Sequence, residues 1–257
     1  MSAASQSSVR YFFAVLFLLL LVCAASLAAW RVYSGAPAKK EEALDRYLRA
    51  VYVLQSLGGP AAAEREDIPA RIRGSDAAES LLHHPDKIFI LQHIADELAQ
   101  TGDLTPRAAL FEAYARLALG ERQRAVALLT RYVMEDDYES SHYEILAANL
   151  YELRDYSSLY LICREWAERD AACRENRTRY TWTSLYNLKR FGQSLEYMQK
   201  QAPCLGWQAR IYAAKSALAS GDARSAEEML LETLERFPAD ATLIQRMWEQ
   251  LRDREIM

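Results

Sequence analysis

The sequence predicts an all-α protein: a solenoid of helix-turn-helix repeats preceded by a single transmembrane helix. Three observations favour this class. Apolar residues recur at helical spacing along most of the chain, an uncharged apolar run lies near the N-terminus, and similar helical segments return at a nearly constant interval. With 51% hydrophobic and 26% charged residues among 257, the composition is that of an ordinary globular protein.

The first element is an apolar run over residues 11–30, which carries no charge between Arg10 and Arg31. As a helix this run rises about 30 Å, the thickness of the hydrocarbon core of a bilayer. We therefore expect an uncleaved transmembrane anchor behind a polar tail of residues 1–10. A cleaved signal peptide is the alternative, because small residues follow the apolar core up to Ala28.

The sequence gives nearly equal support to either side of the membrane as the location of the rest of the chain. Arg31, Lys39 and Lys40 favour a cytoplasmic position for the rest of the chain. A short polar head before an apolar core is typical of an export signal and slightly favours the extracytoplasmic side. Residues 31–39 are small and turn-prone, and they predict a tether between membrane and domain.

The charge balance argues against a nucleic-acid partner. Arg10 and Arg31 are the only charged residues up to position 31, so 29 basic residues face 35 acidic ones beyond it, a net charge of about −6. A surface of that sign repels a phosphate backbone.

The cysteines argue against a disulfide framework or a zinc site. The chain has four cysteines and no CxxC pair. Cys163 falls on a helix face that we expect to be buried, where a free thiol behaves as a small hydrophobe. A bond between Cys173 and Cys204 is left open.

Helix start signals and apolar stripes place the elements after the tether. Residues 40–104 are expected to be a helical N-terminal part, in which one irregular repeat is an alternative. An apolar stripe there comprises Ile88, Leu91, Ala95 and Leu98. Thr105 before Pro106 predicts an N-cap, and the spacing of Ser141 and Glu144 predicts a capping box.

The repeat emerges when the second helix of each hairpin is aligned. Segments that begin at Gly120, Arg154, Arg190 and Gly221 are similar. Their equivalent small or apolar positions, 34, 35 and 32 residues apart, are Ala125, Leu159, Ser194 and Ala226. This interval with helix-turn-helix units resembles the tetratricopeptide repeat (TPR) family over residues 105–238.

The resemblance implies four TPR-like repeats, in which a small residue sits where the two helices of a hairpin cross closely. In the last repeat Ala214 and Ala226 fill these positions, Gly221 makes the turn and Pro238 ends the second helix. Ala113 and Ala147 would occupy the first-helix position in the first two repeats. The third repeat departs from the pattern because Trp182 stands there, so it is expected to be shifted or distorted.

A C-terminal capping helix over residues 239–257 follows the repeats. Its predicted apolar face comprises Leu243, Ile244, Met247, Trp248 and Leu251. The opposite face is polar, as in a terminal helix that shields the last repeat of a solenoid.

No pattern in the sequence indicates an enzyme, a cofactor or a metal site. His83 and His84 are adjacent and point in different directions along a helix, and His93 has no acidic partner at a useful spacing. The acidic run at residues 135–139 lacks the glycine and the ordered oxygen ligands of a calcium loop. No catalytic or phosphate-binding motif occurs.

Hairpin solenoids expose a concave face lined by their first helices, and the resemblance makes that face the expected site for a protein or peptide. Rows of first-helix residues that the repeat core does not bury line up across the four units. The candidate partner-binding residues are Leu110, Tyr114, Leu117, Glu144, Tyr151, Arg179, Tyr186, Asn187, Ile211 and Lys215. An equally weighted alternative is that Glu144 pairs with Arg179 and the aromatic residues pack between repeats.

The expected function is that of a membrane-anchored, non-enzymatic scaffold or adaptor that binds a protein partner through the concave face. One alternative is an exported soluble structural or assembly factor whose signal peptide is removed. Another is an enzyme whose site is not visible in sequence.

Overall fold

The computed structural model describes residues 39–102, 104–134 and 139–253. All regular secondary structure in these ranges is helical, which confirms the predicted all-α class for the described residues. The predicted tail at residues 1–10 and anchor at residues 11–30 lie outside them. Among the helices of the described part, none combines the length and hydropathy that a membrane span requires.

The chain divides into two compact units, Met1–Ala115 and Arg116–Met257. The helices of the first unit are α1 (39–57), α2 (Ala70–Arg73), α3 (Asp76–Leu82), α4 (Lys87–Gln100) and α5 (Pro106–Ala118), the last of which continues into the second unit. Thr105 precedes α5, and its hydroxyl accepts a hydrogen bond from the Arg107 backbone N–H at 3.4 Å, so the predicted N-cap is confirmed.

In the first unit, α4 buries Ala95 and Leu98 of the predicted stripe, but its buried face continues through Ile94 and Ile90 and leaves out Ile88. Ile90, Ile94 and Leu98 are almost fully buried, whereas Ile88 is 62% exposed. Ile88 precedes Ile90 by two residues, about 200° of rotation around a helix, which places it on the opposite face. An ion pair of 2.6 Å between Arg49 and Glu97 also joins α1 to α4.

The second unit consists of helices that fold back on one another in chain order. They are α6 (Arg122–Met134), α7 (Ser140–Glu152), α8 (Tyr156–Arg169), α9 (Glu175–Asn187), α10 (Phe191–Lys200), α11 (Ala202–Leu205), α12 (Trp207–Ala219), α13 (Ala223–Arg236) and α14 (Ala241–Asp253). Each long helix contacts the next one, and α7 also contacts α9, the first helix of the following hairpin.

The burial of the aligned positions supports the repeat. The four equivalent second-helix positions are all within 1% of complete burial; they are Ala125, Leu159, Ser194 and Ala226. Ala214 on α12 packs with Ala226 on α13 in one buried cluster. Small side chains at these crossings let the two helices of a hairpin approach closely.

The third hairpin carries Trp182 at the position where the other repeats carry alanine. Trp182 on α9 is buried, and its indole N–H donates to the Ser216 hydroxyl on α12 at 3.0 Å. Ser216 and Ser194 share a further hydrogen bond of 2.8 Å. The large ring is accommodated because α12 presents small side chains to it, including Ala213. The short helix α11, absent from the sequence-based prediction, lies between α10 and α12.

In the second unit, the predicted capping box of α7 is wrong, whereas the predicted apolar face of α14 holds except at Leu243. The N-cap of α7 is Glu139, and Nδ1 of His142 accepts a hydrogen bond from the Glu139 backbone N–H at 3.0 Å, in place of the box predicted from Ser141 and Glu144. The helix begins two residues earlier than that box requires. On α14, Leu243 is 50% exposed, and the buried side of the helix is centred on Ile244.

The cysteines of the second unit form one disulfide and leave one buried free thiol. Cys173, in the loop before α9, and Cys204, on α11, form a disulfide with Cα atoms 5.9 Å apart. Cys163 on α8 is a free thiol and is buried, as the sequence predicts. Burial raises the pKa of the Cys163 thiol to about 12, so it stays protonated and unreactive at neutral pH.

Candidate protein-binding site

The structure divides the ten candidate partner-binding residues by exposure. Leu110, Tyr114, Ile211 and Lys215 are buried, so they present no surface that a partner could contact. Tyr114 donates to the Glu64 carboxylate at 2.8 Å within the first unit. The prediction that these four residues contact a partner is therefore wrong.

Lys215 is buried because the C-terminal helix covers it. Its ammonium donates to the Arg252 backbone carbonyl of α14 at 3.4 Å and lies 5.8 Å from the centre of the Tyr186 ring. A cation at the C-terminal end of a helix also interacts favourably with the helix dipole. The role of Lys215 in the fold is thus to dock the capping helix.

Tyr186 and Asn187 are half-buried and also lie close to the core of the second unit. The Tyr186 ring packs against Trp182 and Phe191, with ring centres 5.3 and 5.2 Å apart, and burial raises the pKa of its hydroxyl. The Asn187 side chain donates to the Thr183 backbone carbonyl at 2.9 Å. Both residues therefore make contacts that stabilise α9 and its surroundings. Leu117, the remaining candidate on α5, is half-buried.

The remaining candidates surround a pocket of about 250 Å³ between α7 and α9. Tyr151 and Arg179 line it, together with Ala148 on α7 and Thr183 on α9. Glu144 lies beside the pocket and accepts a hydrogen bond from the Asn176 side-chain amide. The full lining is Ala148, Tyr151, Glu152, Asn176, Arg179, Tyr180 and Thr183.

Two tyrosine rings form the aromatic part of the pocket. The ring centres of Tyr151 and Tyr180 are 5.9 Å apart, and the rings are inclined at 46°. Burial raises the pKa of the Tyr180 hydroxyl, and the neighbouring Glu144 carboxylate raises it further. The Tyr180 hydroxyl is therefore neutral at physiological pH and available as a hydrogen-bond donor and acceptor.

Arg179 connects the pocket to the next hairpin. Burial raises the pKa of the Tyr212 hydroxyl on α12, and the nearby Arg179 guanidinium partly offsets that rise. Glu175, one helical turn before Arg179, also acts on Tyr212 electrostatically. Three successive first helices, α7, α9 and α12, thus each present one tyrosine along this region, namely Tyr151, Tyr180 and Tyr212.

Known proteins resemble this chain at low sequence identity. No protein-family model and no curated protein matches the chain. Among solved structures, YrrB, described as a TPR protein with an unusual peptide-binding site, has a TM-score of 0.49 at 12% identity over 67% of this chain and 89% of that chain. Two MamA structures have TM-scores of 0.46 and 0.48 at 18% and 11% identity, covering 58% and 59% of this chain and 88% and 85% of theirs. At these values the packing of this chain itself remains the basis for a functional interpretation.

Sequence reasoning missed three pocket residues: Asn176, Tyr180 and Glu152. Asn176 and Tyr180 lie three residues before and one residue after Arg179, so they share its part of α9. Glu152 directly follows Tyr151. A search for polar and aromatic side chains around Arg179 and Tyr151 at helical spacing would have found them.

The described residues offer no group of three or more His, Cys, Asp or Glu side chains that could hold a metal ion. Of the acidic run at residues 135–139, residues 135–138 lie outside the described residues. Of the histidines, His84 and His93 stack on Phe89, with ring centres 4.5 and 6.1 Å away.

Proposed function

We propose that the protein is a non-enzymatic scaffold or adaptor that binds a segment of a protein partner in the pocket between α7 and α9. The observation that carries the proposal is the pocket's composition, with two tyrosines and an arginine on neighbouring first helices. Tyrosine and arginine are the residue types that most often supply binding energy at protein interfaces. The hairpins recur at an interval that resembles that of the TPR family, and this resemblance also supports protein binding.

The position of these side chains on helices supports binding as well. Ala148 and Tyr151 lie on α7, and Asn176, Arg179 and Tyr180 lie on α9, so packed helices fix their spacing before a partner arrives. Preorganised groups lose less conformational entropy on association than groups on loops. Glu152 is the acidic residue and Arg179 the basic residue of the pocket lining, and no serine, cysteine or histidine belongs to that lining. This lining suits recognition better than chemistry.

Residues 11–30 are proposed to hold the protein at a membrane as an uncleaved anchor, with the repeats on the extracytoplasmic side. The Cys173–Cys204 disulfide supports that side, because disulfides persist in oxidising compartments and are rare in the cytosol. Intact mass of the mature protein tests the anchor, since cleavage near Ala28 would remove the whole segment. Protease treatment of sealed vesicles of known orientation tests the side.

A photocrosslinking experiment on the full-length chain in its membrane tests the binding site. A photoreactive amino acid at Tyr151 should join a partner, whereas the same group at Leu161, 61% exposed on α8, should not. Truncating an interface anchor typically weakens binding by about 2 kcal/mol, roughly thirtyfold. Tyr151→Ala and Tyr180→Ala should therefore each strongly reduce partner recovery, and Leu161→Ala should leave recovery unchanged.

Equal crosslinking from Tyr151 and Leu161 would contradict this site. A loss of helical signal in the tyrosine variants would instead mean that the rings are structural. Circular dichroism of each variant separates the two outcomes.

A further inference from the structure

The electrostatics around the pocket indicate which side chain of a partner it takes. Carboxylates outnumber cations there. Glu152 lines the pocket, Glu144 lies beside it and acts on Tyr180, and Glu175 lies close enough to act on Tyr212. Against these three carboxylates stands Arg179. The local potential is therefore negative and attracts a cation.

Arg179 is partly occupied within the protein. Its guanidinium lies close enough to Tyr212 to lower the pKa of that hydroxyl, and Arg179 follows Glu175 by one helical turn. Glu144 accepts the Asn176 amide, but a carboxylate has further lone pairs for a second donor. Negative charge consequently remains available to a partner on the α7 side of the pocket.

The tyrosine rings favour the same kind of ligand. Tyr151 and Tyr180 both line the pocket, with ring centres 5.9 Å apart and ring planes inclined at 46°. Aromatic faces attract ammonium and guanidinium groups within about 6 Å. At about 250 Å³ the pocket lies below the usual range for drug-sized ligands, which begins near 300 Å³. It suits one long side chain.

Resting on the proposed function, we infer that the pocket binds one basic side chain, arginine or lysine, of an extended partner segment. The cationic head lies against the rings of Tyr151 and Tyr180, and its countercharge comes from Glu144 and Glu152. The aliphatic stem of such a side chain covers the apolar part of the lining, which Ala148 contributes.

The test uses the full-length chain in nanodiscs and three capped peptides, acetyl-Gly-X-Gly-amide with X as arginine, glutamine or glutamate. Saturation-transfer NMR measures the dissociation constant of each peptide. The arginine peptide should bind about three- to tenfold more tightly than the glutamine peptide, and the glutamate peptide should bind least. Added salt should reduce the difference.

Two charge variants give opposite expected signs. Glu152→Gln should weaken the arginine peptide about threefold, because a unit charge roughly 7 Å away in water changes an affinity by about that factor. Arg179→Gln should strengthen it about threefold by removing a like charge. Glu249→Gln on α14, an exposed carboxylate on a different helix, is the matched control and should change nothing.

Three outcomes would overturn the inference. The glutamate peptide binds best and loses its affinity in Arg179→Gln; the arginine and glutamine peptides bind equally; or no peptide binds. In each case photocrosslinking at Tyr151 reports on the proposed function separately. Specific crosslinking would keep the site and reject only the basic side chain, whereas its loss would reject both.

Discussion

Replacing both Cys173 and Cys204 by serine should lower the free energy of unfolding of the second unit by about 3.5 to 4 kcal/mol. The two cysteines are 31 residues apart in sequence and their Cα atoms are 5.9 Å apart. Crosslinking a loop of that length removes about 12 cal/mol/K of chain entropy from the unfolded state, or about 3.7 kcal/mol at 25 °C. The bond also ties the loop before α9, beside the pocket, to α11.

Urea unfolding followed by the helical signal at 222 nm measures the loss. With a slope of about 2 kcal/mol/M, the midpoint of the double variant should fall by about 2 M relative to the oxidised protein. Both proteins carry Cys23→Ser, so that Cys163 is the one remaining free thiol. Reductant should move the midpoint of the oxidised protein to that of the double variant and leave the variant itself unchanged.

A midpoint shift below about 0.5 M, or an equal response of both proteins to reductant, would refute this reasoning. It would also remove the support that the disulfide gives to an extracytoplasmic repeat domain. Cys163 provides an internal check, because a buried thiol with a pKa of about 12 should not react with a thiol reagent while the protein is folded. Reaction at Cys163 would show that the substitutions open the second unit.

The other predictions concern packing, charge and a buried hydrogen bond. Ala214→Trp should destabilise the last hairpin by about 1 to 3 kcal/mol through overpacking, whereas Ala223→Trp at an exposed position should not; equal thermal shifts would contradict the close crossing. The Ser140 hydroxyl and the Ala172 backbone N–H lower the pKa of Asp170 to about 2. This contribution to stability is complete above the usual carboxylate pKa and disappears as the pH falls towards 2, so acid unfolding of Asp170→Asn should show a weaker pH dependence between about pH 4 and 2. Trp182→Phe should cost about 1 to 3 kcal/mol by removing the buried donor to Ser216; urea curves that match those of the unaltered protein would show that the hydrogen bond contributes little.

The parts of the fold that the sequence predicts are those set by local spacing. Ala125 and Ala226 are buried where the aligned second helices place them, because a helix presents every third or fourth residue to its neighbour. Thr105 caps α5 because capping depends on residues within one turn. Predictions that depend on residues within one or two helical turns do not require knowledge of the tertiary contacts.

The features that escaped prediction depend on contacts between distant residues. Trp182 is buried because Ser216 and Ala213 lie opposite it, and no pattern around Trp182 reveals those partners. The same holds for Lys215, which becomes inaccessible because the end of α14 reaches its ammonium. In both cases the tertiary contact, and not the propensity of the segment, decides exposure.

The pocket itself shows how a repeat register can mislead. Aligning the repeats pairs Tyr151 with Tyr186, 35 residues later, but the ring beside Tyr151 is that of Tyr180, 29 residues later. Another contact between the same two first helices is also shorter than this interval: Glu144 meets Asn176 after 32 residues.

Equivalent residues are therefore displaced along the helix axes, by as much as about 9 Å for the six-residue difference at Tyr151. The displacement moves Tyr186 into the packing around Trp182 and Phe191 and puts Tyr180 in the pocket in its place. A partner segment that follows this surface must accordingly cross the first helices obliquely, because the equivalent rows do not meet side by side.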